Sequence, residues 1–243
     1  MSSPWTRLSR QTPSKSAFWR YNWIAHHQII AALERAAPYV RGRLLDVGCG
    51  TMPTRTWWAG RFTEYRGVDL ADSPYLGDAR LTAIARAEEL PFRAESFDTV
   101  LGLSMLTYLP EPQRMIAEAW RVLPKGGMLV LDFTQTLPPG EPLHSYFRFT
   151  PHDARSMLER AGFEVVEVFP VGGPWTHVAM SLMVPLNRLN RGPQRVLTEL
   201  PVRALYILIQ LSCALLDRMF GNRNAALAHL FVAHRIERPE PPR

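Results

Sequence analysis

Short apolar runs recur through the middle of the chain, at 43–48, 65–70, 97–104 and 127–133. Their length and their content of β-branched and aromatic residues are typical of buried strands. The stretch QRMIAEAWRVLPKGG, between the last two runs, has apolar residues at helical spacing and ends at proline and two glycines, as helices often do. A further helix and strand follow. This alternation predicts an α/β fold, with a parallel sheet that helices cover on both faces.

The segments that flank this region have other patterns. The first residues are rich in Ser, Thr, Arg and Pro, and the next twenty carry apolar positions at helical spacing up to Pro38. Two apolar helical stretches, HVAMSLMVPLNRLN at 177–190 and PVRALYILIQLSCALLDRMF at 201–220, precede a last strand. The expected organisation is a flexible arm at 1–16 and a single domain at 17–243, which contains an N-terminal helix (17–40), a core (43–173), a helical insertion (174–226) and a last strand (227–237).

Composition and charge narrow the function only slightly. Apolar residues make up 47% of the 243 residues, which suits a globular domain with a large core. The net charge of +6 permits nucleic acid, anionic lipid or an anionic small molecule as a partner and selects none of them. Cys49 and Cys213 have no Cys or His at metal spacing, which argues against a zinc site or a disulfide framework. Because no continuous apolar segment opens the chain, we expect a cytoplasmic protein.

The sequence LLDVGCGTMP joins the first run to the next helix. Gly48 and Gly50 allow a sharp turn and a close approach of the backbone to a ligand. Asp69, at the end of the second run, lies 23 residues after Asp46, which is close to the spacing of a carboxylate that binds ribose hydroxyls. A helix N-cap is the alternative for Asp69. A dinucleotide-binding dehydrogenase is disfavoured, because GCGTMP lacks the third glycine of GxGxxG.

The ordered segments LLDVGCG, GVDL and AEELPFRAESFDTVLGLSMLTYLPEPQRMIAEAWRVLPKGGMLVLDF resemble the class I S-adenosylmethionine (SAM)-dependent methyltransferases, in particular the type 11 group. The resemblance covers about 43–170 and a final strand. It implies a Rossmann-like, mostly parallel sheet whose last strand is antiparallel. It also implies that SAM is the cofactor and S-adenosylhomocysteine the product, and that the N-terminal helix covers the cofactor as a lid.

The resemblance assigns roles to individual residues. A loop beside the methionine part of SAM is implied for Asp46, Gly48, Cys49 and Gly50. Ribose binding is implied for Asp69, adenine contacts for Leu70, Ala87 and Glu88, and a place beside the transferred methyl group for Leu103 and Ser104. For Asp46 the alternative is a loop carboxylate satisfied by backbone amides, and for Leu70 and Leu103 it is ordinary core packing.

Three positions depart from the family pattern. Met52 occupies the place of the usual third glycine, so we expect the loop to bend differently. Arg86 replaces an acidic residue before AEEL, and Tyr108 replaces a common histidine. These departures leave open a non-catalytic SAM-binding scaffold.

Catalytic residues are poorly marked, because the cofactor carries the reactivity and the protein mainly orients the reactants. His144, with an ordinary pKa of about 6.5, is the first candidate for a base, and Tyr108 is the second. Candidate acceptor contacts are Tyr21, His26, Tyr146 and Arg148, with simple packing as the alternative. Asp132 is followed by Phe133 instead of the Asp-Asn pair of metal-dependent relatives, so we expect no metal.

The 174–226 insertion bears on the acceptor, because such insertions commonly shape the acceptor pocket of small-molecule methyltransferases. Its stretch from Ala204 to Leu216 is apolar on almost every face and is shorter than the ~18–20 residues of a membrane span. Four roles of this apolar stretch remain open: burial in the fold, a lipophilic acceptor pocket, a dimer interface, and contact with a membrane surface through the arginines of the insertion.

Together these features predict a SAM-dependent methyltransferase that acts on an O or N atom of a small, hydrophobic organic acceptor such as a lipid, a quinone or a specialised metabolite. An RNA or tRNA methyltransferase is the alternative that the positive charge permits, although no RNA-binding appendage is recognisable. We expect a monomer or homodimer in the cytoplasm, with peripheral membrane contact left open.

Overall fold

The computed structural model describes residues 20–76, 81–136, 145–190, 195–222 and 224–237. The predicted arm at 1–16 and His144 lie outside the described residues. The helices are α1 (Trp23–Ala36), α2 (Pro53–Trp57), α3 (Pro112–Val122), α4 (Pro151–Arg160), α5 (Pro174–Leu189) and α6 (Arg195–Phe220). The strands are β1 (Arg43–Val47), β2 (Glu64–Asp69), β3 (Ala83–Ile84), β4 (Thr99–Gly102), β5 (Met128–Thr134), β6 (Phe163–Val171) and β7 (Ala228–Arg235). Single 3₁₀ turns lie at Ala37–Tyr39 and Leu106–Tyr108.

The seven strands of the described residues form one sheet, in the order β3-β2-β1-β4-β5-β7-β6. The neighbours from β3 to β5 are parallel, and β7 runs antiparallel to both β5 and β6. The predicted Rossmann-like sheet with an antiparallel last strand is therefore confirmed. Because β1, β2, β4 and β5 are parallel, their carboxyl ends meet along one edge of the sheet, where ligands bind in open α/β folds. We call this the carboxyl edge.

Helices bury both faces of the sheet. On one face α3 and α4 pack against strand residues through an apolar stripe that includes Met115, Ile116 and Leu158. On the other face α1 contributes Leu33 and Ala36. Spacings of three and four residues place the apolar side chains of α3 on one side of the helix, which is why its amphipathic sequence predicts its packing.

The inserted helices α5 and α6 leave the sheet and return to it at the carboxyl edge. The last residue of β6, Val171, pairs with the first residue of β7, Ala228, and Ala228 also pairs with Thr134 at the end of β5. Two helices thus connect β6 to β7 within the segment predicted as an insertion, and its role on the acceptor side stays a prediction. Its second helix begins at Arg195, six residues before Pro201, with which the predicted helical stretch opens.

Candidate active site

The turn after β1, residues 48–52, is the glycine loop. The backbone amides of Gly48 and Cys49 donate to the Val68 carbonyl oxygen, at 2.9 and 3.2 Å, so the loop is fixed to the end of β2. Gly48 has a φ of 68° and Gly50 a φ of 51°, a region that side chains disfavour. A Cβ at Gly48 would lie 3.2 Å from the Cβ of Met105, so the loop also adjoins the segment after β4.

Met52 has a φ of 56° and precedes α2. It therefore adopts the left-handed conformation that glycine takes most readily. That the loop bends differently from the family's at this position stays a prediction. The Met52 side chain is buried, and its packing offsets the cost of that conformation.

Asp69 is the residue that joins the glycine loop to β2. One carboxylate oxygen accepts a hydrogen bond from the Gly50 amide and the other accepts one from the Leu70 amide, both at 2.8 Å. A carboxylate has about four acceptor positions, so two remain for hydroxyl donors. The half-buried side chain is thus oriented at the carboxyl edge as a receptor for vicinal hydroxyls, and the residues present fit the ribose of SAM.

Asp46 is held differently, because it faces the interior. Its carboxylate accepts a hydrogen bond from Thr54 Oγ1 at 2.8 Å and another from the Tyr65 hydroxyl. Burial raises its pKa to about 6, although both hydrogen bonds act to lower it. Asp46 therefore joins β1 to α2 and β2 and positions the glycine loop from beneath.

Two other residues assigned to the cofactor lie close to these. Cys49 lies within the glycine loop and is buried. Burial, together with the charges of Asp46 and Asp69, raises the pKa of its thiol, which keeps the thiol neutral. The segment that carries Ala87 passes the end of β2, where the Ala85 amide donates to the Asp69 carbonyl oxygen at 3.1 Å.

Glu88 lies in the same segment as Ala87. Its side chain is buried and pairs with Arg86 at 3.3 Å. The charge of Arg86, which replaces the acidic residue of the family pattern, is therefore neutralised by its neighbour Glu88.

The end of β4 meets the end of β5 at a strained residue. Ser104 has a φ of 53°, and its backbone amide donates to the carboxylate of Asp132. Burial raises the pKa of Asp132 to about 6, while the bonds from Ser104 lower it. Leu103 packs against the core of the face that carries α1. From the sequence, Asp132 is considered only as a metal ligand. Its position as a lone acid in the apolar run GMLVLDF is the sequence signal for a buried carboxylate at this site.

The predicted acceptor residues Tyr146 and Arg148 lie on a loop before α4, which is hydrogen-bonded to the 3₁₀ turn containing Tyr108. The Tyr146 amide donates to the Thr107 carbonyl oxygen at 2.8 Å, and the Arg148 guanidinium donates to Thr107 Oγ1 at 2.9 Å and to the Phe147 carbonyl oxygen at 2.8 Å. The structure thus brings the two loops together. Arg148 fastens them to one another, a positioning role, whereas the Tyr146 ring is exposed.

Tyr21 and His26 lie at the start of α1, toward the insertion. The Tyr21 ring is 6.5 Å from the ring of Tyr206 in α6. Burial and the charge of Arg20 lower the pKa of His26, so its imidazole is neutral at pH 7. Their contact with the acceptor stays a prediction.

No group of three or more His, Cys, Asp or Glu side chains is placed to hold a metal ion among the described residues. The expectation of a metal-free reaction stays a prediction.

Comparisons with known proteins agree with this geometry. A family model described as a methyltransferase domain matches residues 45–131. The chain is 30% identical over 166 residues to a ubiquinone biosynthesis O-methyltransferase of Dechloromonas aromatica. The matched residues cover 56% of this chain and 70% of that protein. The chain belongs to the class I SAM-dependent methyltransferases. SAM is the cofactor of this family.

A second relative is the chloroplastic 2-methyl-6-phytyl-1,4-hydroquinone methyltransferase 1 of Oryza sativa subsp. japonica. It is 29% identical over 194 residues, which cover 66% of this chain and 57% of the relative. The chain spans 52–57% of the length of the first curated relatives that it matches. Among solved structures, the [4+2]-cyclase SpnF has a TM-score of 0.55 at 19% identity, over 87% of this chain and 80% of that one. At this identity the likeness shows the fold alone.

Proposed function

We propose that this methyltransferase transfers a methyl group from SAM to an O or N atom of a small, hydrophobic organic acceptor. The observation that carries the proposal is the Asp69 carboxylate, fixed by the Gly50 and Leu70 amides at the carboxyl edge with acceptor capacity to spare. Two glycines with positive φ leave the adjoining backbone open to a close ligand.

The site supports this chemistry mainly by orientation. When bound, SAM supplies the methyl group from a sulfonium centre, and S-adenosylhomocysteine is the product. Asp69 would hold the nucleoside end of SAM and the glycine loop its methionine part, and this loop adjoins the segment after β4 that carries Ser104. A hydroxyl or ammonium acceptor must also lose a proton, and Asp132, which lies at the carboxyl edge beside Ser104, would accept it. Its pKa of about 6 suits a base near neutral pH.

The preference for a hydrophobic acceptor rests on the insertion and on the relatives. Helices α5 and α6 leave and rejoin the sheet at the carboxyl edge and are rich in Leu, Met, Ile and Val. The two relatives described above are named for ubiquinone biosynthesis and for a phytyl hydroquinone. Both names fit an acceptor with a ring hydroxyl or a lipid-like tail.

The first test is calorimetric titration with S-adenosylhomocysteine, SAM and NAD, for the wild type, Asp69→Ala and the matched control Asp72→Ala. Asp72 is an exposed acid three residues away. We expect the sulfur nucleosides to bind and NAD not to bind. Loss of charge-assisted hydrogen bonds of about 1.5–3 kcal/mol should weaken binding roughly 10- to 150-fold in Asp69→Ala and leave Asp72→Ala unchanged.

Folding of each variant is checked by its thermal unfolding midpoint, so that lost affinity is not mistaken for lost structure. Absence of binding to the wild type, or equal affinity in Asp69→Ala, would contradict the cofactor site and favour a scaffold. Once binding is established, methyl transfer from labelled SAM is measured with hydroquinones, a lipid extract and tRNA. Transfer to tRNA alone would contradict the acceptor class.

A further inference from the structure

Helix α6 turns two polar side chains, Gln210 and Asp217, toward the protein. Gln210 is buried, and its Oε1 accepts a hydrogen bond from the Ile24 amide at 2.9 Å, which fixes α6 to the start of α1. Asp217 accepts hydrogen bonds from the amides of Trp175 and Thr176, at 2.9 and 2.8 Å, and from Thr176 Oγ1 at 2.6 Å. Both contacts hold one face of α6 along the domain.

The opposite side of the same helix is apolar and exposed. Leu208, Leu211, Leu215 and Met219 lie three or four residues apart and form one stripe, which we call the outer face of α6. Leu208 is 63% exposed and Leu215 57% exposed. A globular surface helix normally has the reverse arrangement, with apolar residues inward and polar residues outward. A contiguous exposed apolar patch marks an interaction site.

Helix α6 is also longer than the apolar stretch Ala204–Leu216 that the sequence predicts. Its segment Thr198–Phe220 is long enough to cross a membrane, and the most apolar 18-residue window of that segment has a mean hydropathy of 1.5, with 17% of the window buried. The expectation that the apolar stretch is too short to span is therefore wrong as to length, because the helix continues beyond Ala204–Leu216 at both ends. The contacts at Gln210 and Asp217 nevertheless tie it to the domain along its length, so that it lies on the surface.

Charge distinguishes a lipid surface from a second copy of the chain. Between 188 and 223 the sequence has six arginines and two acidic residues. Both acids are engaged within the protein, Glu199 by an ion pair with Arg203 and Asp217 by the start of α5. Docking two copies through this region would bring like charges together on chains of net charge +6. Anionic headgroups, in contrast, complement a sequence segment in which arginines outnumber acids and which contains an exposed apolar helix face.

We propose that the outer face of α6 docks on an anionic lipid bilayer, with the helix lying in the plane of the headgroups and its leucines inserted among the acyl chains. The proposal does not depend on the bound cofactor or on methyl transfer. It assigns to this chain a peripheral attachment to membranes.

The test is flotation of the full chain with vesicles of phosphatidylcholine alone and with vesicles containing 30% phosphatidylglycerol. The variant is Leu208→Gln/Leu215→Gln. The matched control is Ile84→Gln/Val166→Gln, which changes two apolar residues that are 67% and 44% exposed elsewhere on the surface. We expect the wild type and the control to float with the anionic vesicles and the variant to bind at least about tenfold more weakly, because two inserted leucines are lost. High salt should weaken binding of the wild type.

Affinity for S-adenosylhomocysteine, measured on the same samples, shows whether the variant is folded. Absence of flotation of the wild type, or equal flotation of the variant, would overturn the proposal. A dimer by light scattering that the leucine variant dissociates, together with no vesicle binding, would assign the outer face to a second copy. Equal flotation with both vesicle types would overturn the role of the arginines.

Discussion

The buried carboxyl of Asp46 makes a quantitative prediction for the dependence of stability on pH. Its carboxylate lies among the hydroxyls of Thr54 and Tyr65 and is 3% exposed. Asn has nearly the same shape and keeps a carbonyl oxygen that accepts both hydrogen bonds. The substitution Asp46→Asn therefore removes the titration of this site with little change of packing.

The magnitude follows from the change in pKa on folding. Burial raises the pKa of Asp46 from an ordinary value of 3.8 to about 6. The folded protein therefore holds this proton more tightly than the unfolded chain does. The stability from this site is fully present below about pH 4 and is lost as the pH rises through about 6. At 1.36 kcal/mol per pH unit, Asp46 should lower the free energy of unfolding by about 2–3 kcal/mol between pH 4 and pH 8.

Urea unfolding followed by tryptophan fluorescence, at several pH values from 4 to 8, measures this difference. The free energy of unfolding of Asp46→Asn relative to the wild type should increase steadily over this range. Asp153→Asn is the control, because the Thr150 hydroxyl and amide lower the pKa of that exposed carboxyl from its ordinary value of 3.8. Its stabilising contribution is lost only as the pH falls below that value, so the difference between Asp153→Asn and the wild type should hardly vary from pH 4 to pH 8. A difference between Asp46→Asn and the wild type that does not vary with pH would refute the reasoning.

Two further substitutions test local structure. Asp217→Ala removes three hydrogen bonds at the start of α5 and should cost about 2–3 kcal/mol, seen as a fall of roughly 5–10 °C in the thermal midpoint, while Arg218→Ala should change it little. Met52→Gly relieves a left-handed residue by ~1–2 kcal/mol but removes a buried side chain worth about 2–4 kcal/mol, so a net loss of stability is expected in urea unfolding. A more stable Met52→Gly protein would show that the conformational cost exceeds the packing.

Much of the fold could be predicted because hydrophobic periodicity records burial directly. The apolar runs marked the longer strands, and the acid at the end of β2 marked Asp69 at the carboxyl edge. Strand β3 was missed, since the two residues Ala83–Ile84 are too short to show a period. The start of α6 was missed because Pro201 is typical of a first turn, whereas this helix accommodates it about two turns inside.

The site was less predictable, because its geometry depends on contacts between distant segments. No spacing in the sequence shows that Tyr65 turns its hydroxyl to Asp46, since this depends on the register of β1 and β2. Asp132 acquires its raised pKa only from burial beside Ser104. The guanidinium of Arg148, expected to bind an anionic acceptor, donates within its own loop and to Thr107.

The two proposals can fail independently, because they rest on different residues at different positions along the sheet. Asp69 ends β2, whereas α5 and α6 connect β6 to β7, and β2 lies five strand positions from β6. At about 4.8 Å per strand, the cofactor carboxylate is on the order of 24 Å from the edge strand where the insertion begins. Loss of nucleoside binding in Asp69→Ala with unchanged flotation would separate catalysis from membrane attachment. Loss of flotation in Leu208→Gln/Leu215→Gln with unchanged nucleoside binding would show that membrane attachment is separate from cofactor binding. A fold that also carries a [4+2]-cyclase does not by itself establish methyl transfer, so these residue-level outcomes decide the function.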